Sequence, residues 1–178
     1  MRTIAFNYAE LSDKHKALNY AQNALLFYRS LNDKDAVAEC LNIIGAIYSQ
    51  FHDYSQALEY FEKSFAEYSA LNDHQQMRKE LSNISSVYVD SSDYTKALEY
   101  EKRAMALGKS FGFNVSGNYT DLAAIYIKQK NYLQAIAYAG KSSTTNKIRG
   151  QYDDERDALQ YLSEAYAGIK QYEKAYRY

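Results

Sequence analysis

Side chains that could perform catalysis or bind a metal are few in this sequence of 178 residues. The only histidines are His15, His52 and His74; none stands four residues from another, and no HExxH motif or glycine-rich phosphate loop occurs. Cys40 is the only cysteine, which excludes an internal disulfide and favours a small buried residue. The acidic run 153–155 stands at the start of a predicted helix, where carboxylates interact favourably with the helix dipole. We therefore expect a chain that is not an enzyme and holds no cofactor or metal.

Amide and hydroxyl side chains recur on one face of the predicted helices and offer a different chemistry. An asparagine amide can pair with both the N–H and the C=O group of an extended peptide, so a row of such side chains suits capture of a peptide through its backbone. The residues predicted to bind are Asn42, Ala46, Ser49, Lys79, Ser82, Asn83, Ser86, Asp90, Thr120, Lys128, Gln160, Tyr161 and Glu164. Thr3 and Phe6 continue this face toward the N-terminus. The alternative is that these side chains only form the solvated face of the helices.

The composition narrows the classes of partner. The formal net charge is -1, the isoelectric point is near 6.3, and acidic and basic residues are mixed along the chain. These values argue against a nucleic-acid or anionic-membrane surface, and no apolar run approaches the roughly 18 residues of a membrane helix. We expect a protein or peptide partner, no direct binding of nucleic acid and no membrane insertion, with homo-oligomerisation as a further option. The expected compartment is the cytoplasm, or the periplasm if the segment belongs to a membrane sensor.

Three ladders of residues define the elements that must position these side chains. The intervals within each ladder are 40, 40, 38 and 40 residues. The ladders are Tyr8, Tyr48, Tyr88, Tyr126 and Tyr166; Ala17, Ala57, Ala97, Ala135 and Ala175; and Tyr20, Tyr60, Tyr100, Tyr138 and Tyr178. Five copies in register establish an internal repeat, whose units must stack on their neighbours to bury their apolar faces. Tyr161 lies outside the ladders, and we expect it to be an exposed aromatic anchor in the binding surface.

Each repeat has the pattern of two helices joined by a short turn. In the second repeat, apolar residues at positions 37, 41, 44, 47 and 48 lie at helical intervals and predict a first helix over 34–50. A second helix is predicted over 54–71, with Asp53 as its N-cap. Further N-caps are expected at Asp13, Asp33, Asp73, Asp93 and Asn131, and left-handed helix ends at Asn32, Asn72 and Gly112.

The second repeat resembles the tetratricopeptide repeat. The residues that carry the resemblance are Leu41, Ile44, Gly45, Tyr48, Ala57 and Phe61. They stand at the spacing of the family, and the pattern returns in register along the chain. Two features depart from it: the repeat exceeds the roughly 34 residues of the family, and Glu101 occupies the aromatic position in the third repeat. Repeats of this longer form are similar to those in peptide-sensing and signalling regulators.

The expected fold class is therefore all-α, a right-handed superhelical array of helix-turn-helix hairpins of the TPR-like α-solenoid type. We expect a single array over 1–178 with units at about 1–31, 34–71, 74–111, 114–148 and 153–178, the first and last incomplete, excerpted from a longer protein. The resemblance implies a non-enzymatic protein- or peptide-binding scaffold, such as the sensory or interaction segment of a signalling or transcriptional regulator. The alternative is an oligomerisation or structural assembly segment of a larger protein.

Overall fold

The computed structural model describes residues 13–149 and 152–178, which fold into α-helices joined by short turns. The helices are α1 (Lys14–Ser30), α2 (Lys34–Gln50), α3 (Tyr54–Ala70), α4 (His74–Asp90), α5 (Tyr94–Ser110), α6 (Ser116–Lys128), α7 (Tyr132–Arg149), α8 (Tyr152–Gly168) and α9 (Tyr172–Ala175). The predicted helices 34–50 and 54–71 are confirmed, the second to within one residue. Thr3 and Phe6 lie outside the described residues. The chain divides into two compact units, Met1–Ser92 and Asp93–Tyr178.

Aspartate side chains begin most of the helices, as the sequence predicts. Each accepts a hydrogen bond from the backbone N–H three residues further on, which satisfies a donor that the first helical turn leaves unpaired. The confirmed caps are Asp13, Asp33, Asp73, Asp93 and Asn131. The prediction is wrong at Asp53, whose side chain makes no capping bond. Its carboxylate instead lies 3.5 Å from Lys14 Nζ, because α1 brings a lysine to this turn.

The helices end in left-handed residues at more positions than the sequence predicts. Asn32, Asn72 and Gly112 have positive φ, as expected, which places the following N–H groups on the last free carbonyl groups of each helix. Four further residues adopt the same conformation, namely His52, Ser92, Lys130 and Lys170. The turn geometry is thus imposed by the repeat and does not require an asparagine or glycine at each copy.

The fourth repeat is shortened at the start of its first helix. The predicted loss of two residues between Tyr88 and Tyr126 is explained by α6, which has 13 residues where α2 has 17. The join before α6, residues 111–115, has two residues more than the equivalent join 71–73 before α4, so four residues lost and two gained give the interval of 38. Asn114 Oδ1 accepts a hydrogen bond from Ser116 N at 3.0 Å and closes this turn.

Small residues let the helices of each unit approach closely. In the first unit, Ala17 and Ala57 are fully buried, and Ala17 belongs to a continuous core with Ile44. In the second unit, Ala135 and Ala139 are equally buried. The alanine ladder is therefore a packing feature, as its period predicts, and burial of these apolar surfaces stabilises the stack.

Tyrosines of two ladders stack on each other within a repeat. Tyr48 and Tyr60 have ring centroids 5.5 Å apart, and Tyr126 and Tyr138 are 5.6 Å apart, both in stacked geometry. Most of these rings are half-buried, although Tyr126 is fully buried. Their role in joining the two helices of a hairpin leaves them unsuited to an aromatic binding cage.

Within the part of the chain that the structure describes, no helix is long and apolar enough to cross a membrane.

Candidate peptide-binding groove

The predicted binding residues differ in how far the structure exposes them. Seven are exposed to solvent, and the other six are half-buried. The exposed residues are Ala46, Lys79, Ser86, Asp90, Lys128, Gln160 and Glu164; the half-buried ones are Asn42, Ser49, Ser82, Asn83, Thr120 and Tyr161. The repeat therefore places six of the thirteen residues at the boundary between the core and the solvent, where a side chain can contact both.

Four of the predicted residues come together around one hollow of the first unit. The hollow has a volume of about 290 Å³ and lies between α2 and α4, the first helices of successive repeats. It is lined by Ala46, Ser49, Gln50, Phe61, Asn83 and Ser86. Of these, Ala46, Ser49, Asn83 and Ser86 were predicted from helical phase. The lining carries no formal charge, and its polar groups are amides and hydroxyls.

Phe61 supplies the apolar floor of the hollow and owes its position to Gly45. The ring, which belongs to α3, is only 4% exposed. A Cβ atom at residue 45 would lie 2.9 Å from Cδ1 of Phe61 and 3.0 Å from Cε1, closer than packed carbon atoms approach. The absence of a side chain at Gly45 therefore creates the space that the ring fills. The sequence predicted both residues as packing residues but did not predict that Phe61 also lines the groove.

Asn42, a predicted binding residue, is tied to a buried carboxyl group. Its amide Nδ2 donates to Glu80 Oε1 at 2.8 Å, and Asn83 Nδ2 donates to Glu80 Oε2 at 3.4 Å. Glu80 is 2% exposed. Two predicted binding residues thus share one carboxyl group beneath the surface. We call Asn42, Glu80 and Asn83 the carboxyl–amide cluster.

Burial raises the pKa of the Glu80 carboxyl from its usual 4.5 to about 7, because the ionised form loses its hydration. The opposing influences, which favour ionisation, are hydrogen bonds from Asn83, Asn42 and Ser64, followed by the charge of Lys79. The Ser64 hydroxyl also donates to Ala38 O at 2.9 Å. Since this hydroxyl has one proton, it can serve Ala38 or the carboxylate but not both.

Sequence reasoning did not identify Glu80, although the repeat contains a signal for it. Position 80 lies 40 residues after Cys40, which was predicted to be buried and is 1% exposed. The same position in the shortened fourth repeat is Asn118, which is also 1% exposed. A charged residue at a position that the repeat buries indicates a side chain with buried partners.

Lys79, Ser82 and Asp90 belong to the first unit but do not line the hollow. The other predicted residues lie in the second unit, which uses Thr120 internally. Thr120 Oγ1 lies 2.7 Å from Ser142 Oγ and donates to Ser116 O at 3.2 Å. Its hydroxyl therefore links α6 to α7. Lys128, Gln160 and Glu164 are exposed, but no described hollow gathers them.

Tyr161 differs from the expected exposed anchor. The residue is half-buried, and its ring packs against the core that contains Tyr126 and Leu162. Burial, reinforced by the nearby carboxylates of Asp157 and Asp121, raises the pKa of its phenol. The phase of a single helix such as α8 does not show which of its residues the neighbouring helices cover. The partial burial of Tyr161 was therefore not predictable from helical phase.

Glu101 replaces the aromatic residue of the repeat by a buried polar pair. Its carboxyl group is 1% exposed and accepts a hydrogen bond from Asn118 Nδ2 at 2.6 Å. The departure from the repeat pattern is therefore compensated inside the core.

No group of three or more metal-binding side chains occurs among residues 13–149 and 152–178.

Successive helical hairpins of similar length that stack through small residues define a repeat protein of the TPR-like α-solenoid class. Residues 1–70 match the tetratricopeptide repeat family. The resemblance to that family is therefore confirmed over these residues. No curated protein sequence matches it.

Solved structures of other repeat proteins share this fold. BtubC (BKLC) from P. vanneervenii has a TM-score of 0.84 and 16% identity over 97% of this chain and 73% of its own. The signal transduction ATPase with numerous domains (STAND) with a tetratricopeptide repeat sensor, from Pyrococcus horikoshii, has a TM-score of 0.84 and 22% identity over 99% of this chain but 28% of its own. A Rap protein complexed with competence and sporulation factor has a TM-score of 0.68 and 17% identity over 99% and 59%. At these identities the likeness concerns the fold.

Proposed function

We propose that this chain is a non-enzymatic interaction scaffold that binds an extended peptide segment in the hollow between α2 and α4. The observation that carries the proposal is the hollow itself, which gathers Ala46, Ser49, Asn83 and Ser86 from successive first helices. Its volume of about 290 Å³ admits a few side chains of a peptide.

The chemistry of the lining supports a peptide over a charged small molecule. Asn83, Ser49 and Ser86 offer hydrogen-bonding groups without formal charge, and these match the alternating N–H and C=O groups of a peptide backbone. The ring of Phe61 beneath them provides apolar contact for one side chain. A lining of this kind contains neither a paired acid and base nor a nucleophile with its activating base.

The solved structures support a regulatory role for the scaffold. One of the neighbours is complexed with competence and sporulation factor, and another is a signal transduction ATPase whose repeats form its sensor. By analogy, we place this chain in the sensory or interaction segment of a signalling or transcriptional regulator. The cytoplasm is the compartment that such a role favours.

A groove-blocking substitution tests the proposal. Ala46 is exposed at the rim of the hollow, so Ala46→Arg introduces a long charged side chain without disturbing the core. The matched control is Ala66→Arg, at an exposed position of α3 that does not line the hollow. A displayed library of random peptides serves as the probe, and the most enriched peptide is measured by titration calorimetry. We expect Ala46→Arg to weaken binding at least about tenfold and Ala66→Arg to leave it unchanged.

Two results would contradict the proposal. Equal loss of binding in both variants would show that added charge acts non-specifically, and unchanged binding in Ala46→Arg would place the peptide elsewhere. Sedimentation velocity at several concentrations of the unmodified chain tests the alternative function in assembly. Self-association that Ala46→Arg abolishes, without any peptide being enriched, would favour an oligomerisation segment over a peptide-binding scaffold.

A further inference from the structure

We propose that Glu80 is a positioning residue whose buried carboxylate holds the side-chain amides of Asn42 and Asn83 with their N–H groups facing inward. The groove then presents the amide carbonyl oxygens, which select N–H donors of the bound segment. The proposal rests on the proposed function for its partner, an extended peptide, and on the carboxyl–amide cluster for its chemistry.

The direction of each amide follows from the chemistry of its partner. An ionised carboxylate only accepts hydrogen bonds, and the nitrogen of an asparagine amide only donates them. Asn42 Nδ2 at 2.8 Å and Asn83 Nδ2 at 3.4 Å therefore face the two oxygens of Glu80. Rotating either amide by half a turn would set oxygen against oxygen. Because nitrogen and oxygen occupy opposite corners of the amide, the oxygen then points away from the carboxylate.

Both amide oxygens remain available to a ligand. Within the described part of the chain, neither Asn42 Oδ1 nor Asn83 Oδ1 accepts a hydrogen bond. Asn83 lines the hollow directly, and Asn42 lies one helical turn before Ala46, which lines it too. A peptide backbone N–H is the commonest donor that could reach such oxygens.

The carboxylate of Glu80 places a separate acceptor oxygen opposite each of the two asparagine nitrogens. Glu80 offers one carboxylate oxygen to each asparagine, whereas a glutamine at this position has one oxygen and one N–H₂ group. With glutamine in the same conformation, one of the two asparagine nitrogens would face an N–H₂ donor and would lose its present hydrogen bond. The longer bond, from Asn83, is the one that we expect to turn, and its N–H₂ group would then face the hollow.

Protonation of Glu80 has a similar consequence and provides a test within the unmodified protein. The groups that face the carboxyl are Asn42 of α2, Ser64 of α3, and Asn83 and Lys79 of α4. A neutral carboxyl has one O–H donor, which an asparagine oxygen or the Ser64 oxygen can accept. Loss of the charge therefore weakens the constraint that keeps both amide nitrogens inward.

The first experiment follows the side-chain N–H₂ resonances of Asn42 and Asn83 by ¹⁵N–¹H spectroscopy and needs no ligand. In the unmodified chain above about pH 8, we expect both N–H₂ groups to exchange slowly with water. In Glu80→Gln, exchange of the Asn83 group should accelerate at least about tenfold, the fold-change of losing one hydrogen bond. Glu62→Gln, which changes an exposed carboxyl of α3, is the control. Unchanged exchange in Glu80→Gln would overturn the proposal.

A pH titration of the unmodified chain covers the case in which Glu80→Gln does not fold. The ¹³Cδ resonance of Glu80 reports its ionisation, and the Asn83 N–H₂ resonances should shift with the same midpoint. Titration of Glu80 without any response of the two amides would refute its positioning role.

The second experiment tests selectivity with N-methylated forms of the most enriched peptide from the random library. Removing the backbone N–H that meets an asparagine oxygen should weaken binding about tenfold, and the penalty should shrink in Glu80→Gln. An equal penalty in both proteins would overturn selectivity for N–H donors. If no peptide is enriched at all, the proposed function fails, while the amide measurements still decide the role of Glu80.

Discussion

At the scale of single residues, the burial of Glu80 carries a cost in free energy. Raising its pKa from 4.5 to about 7 corresponds to about 3 kcal/mol against the ionised form. The amides of Asn42 and Asn83 offset part of the loss of hydration, and without them the carboxyl would be harder still to ionise. A leucine here would fill the core without burying an ionisable group, so packing alone does not explain the carboxyl.

The pH dependence of stability follows from the direction of this shift. Below the unfolded pKa of 4.5, Glu80 is protonated in both states and contributes nothing. Between 4.5 and about 7 the folded state holds more protons than the unfolded state, so the free energy of unfolding falls as pH rises. We expect the free energy of unfolding of Glu80→Gln, relative to the unmodified chain, to increase by about 2–3 kcal/mol from about pH 5 to about pH 8. Urea unfolding at several pH values measures it.

The control for this prediction is Glu62→Gln, whose exposed side chain should give a curve parallel to that of the unmodified chain. A stability difference between Glu80→Gln and the unmodified chain that does not vary with pH would show that Glu80 is not buried as described.

The residues of the site were predictable only in part. Helical phase predicted that Asn42 and Asn83 lie opposite the apolar stripe, which follows from the repeat alone, and Asn83 lines the hollow. It missed Glu80, since a glutamate within a helix is ordinarily solvated, and only comparison with Cys40 reveals the buried position. It also did not show that the hydroxyl of Thr120 is hydrogen-bonded inside the second unit.

At the scale of helices, the close approach of α2 and α3 depends on one missing side chain. Gly45→Ala would place a Cβ atom 2.9 Å from the Phe61 ring, which is buried and cannot move freely. We expect a loss of about 1–3 kcal/mol in the free energy of unfolding. Gly140→Ala is the matched control, because nothing lies within 4 Å of a Cβ atom at that position of α7. It should stabilise the chain by about 0.5–1 kcal/mol through helix propensity.

A double substitution distinguishes this clash from a general intolerance of α2. In a Phe61→Leu background, Gly45→Ala should cost less than in the unmodified chain, because the two changes act on the same space. Additive effects of Gly45→Ala and Phe61→Leu, measured by urea unfolding, would refute the proposed contact between residue 45 and the ring.

The helix starts provide a second comparison at this scale. Asp33 accepts a hydrogen bond from Ala36 N at 3.1 Å, whereas the Asp53 side chain caps nothing. We therefore expect Asp33→Ala to cost about 1 kcal/mol. Asp53→Ala should cost less, since it removes a half-buried ion pair with Lys14 and a long hydrogen bond from the Ser55 hydroxyl but no capping bond. Thermal unfolding of the two variants measures this order, and an equal or larger loss for Asp53→Ala would contradict it.

The positions of the helices were predictable because the same pattern of apolar and turn residues occurs in successive copies of the repeat. The bounds 34–50 hold to the residue, since the apolar stripe, Asp33 before it and the turn after it all agree. The left-handed conformations of Lys130 and Lys170 were not predictable from residue type, because lysine has no preference for positive φ. There the geometry of the helix end prevails over the local preference.

At the scale of the whole molecule, the charge distribution determines how strongly long-range electrostatic attraction can guide a partner to the chain. The net charge of -1 and the mixed order of acidic and basic residues give little long-range steering. The hollow itself is lined without a charged side chain, although Lys79 and Asp90 are exposed on the same helix as Asn83. Recognition through amides and hydroxyls depends on short contacts, which dissolved salt screens little.

Binding of the enriched peptide should therefore respond weakly to ionic strength. Between about 50 mM and about 500 mM salt, we expect the dissociation constant to change less than about threefold. Titration calorimetry at several salt concentrations measures this, with a peptide of near-zero net charge as the probe. A decrease in affinity of about tenfold or more over this range would show that charged side chains such as Lys79 and Asp90 supply the binding energy. In that case, the uncharged hollow would lie beside the true binding surface.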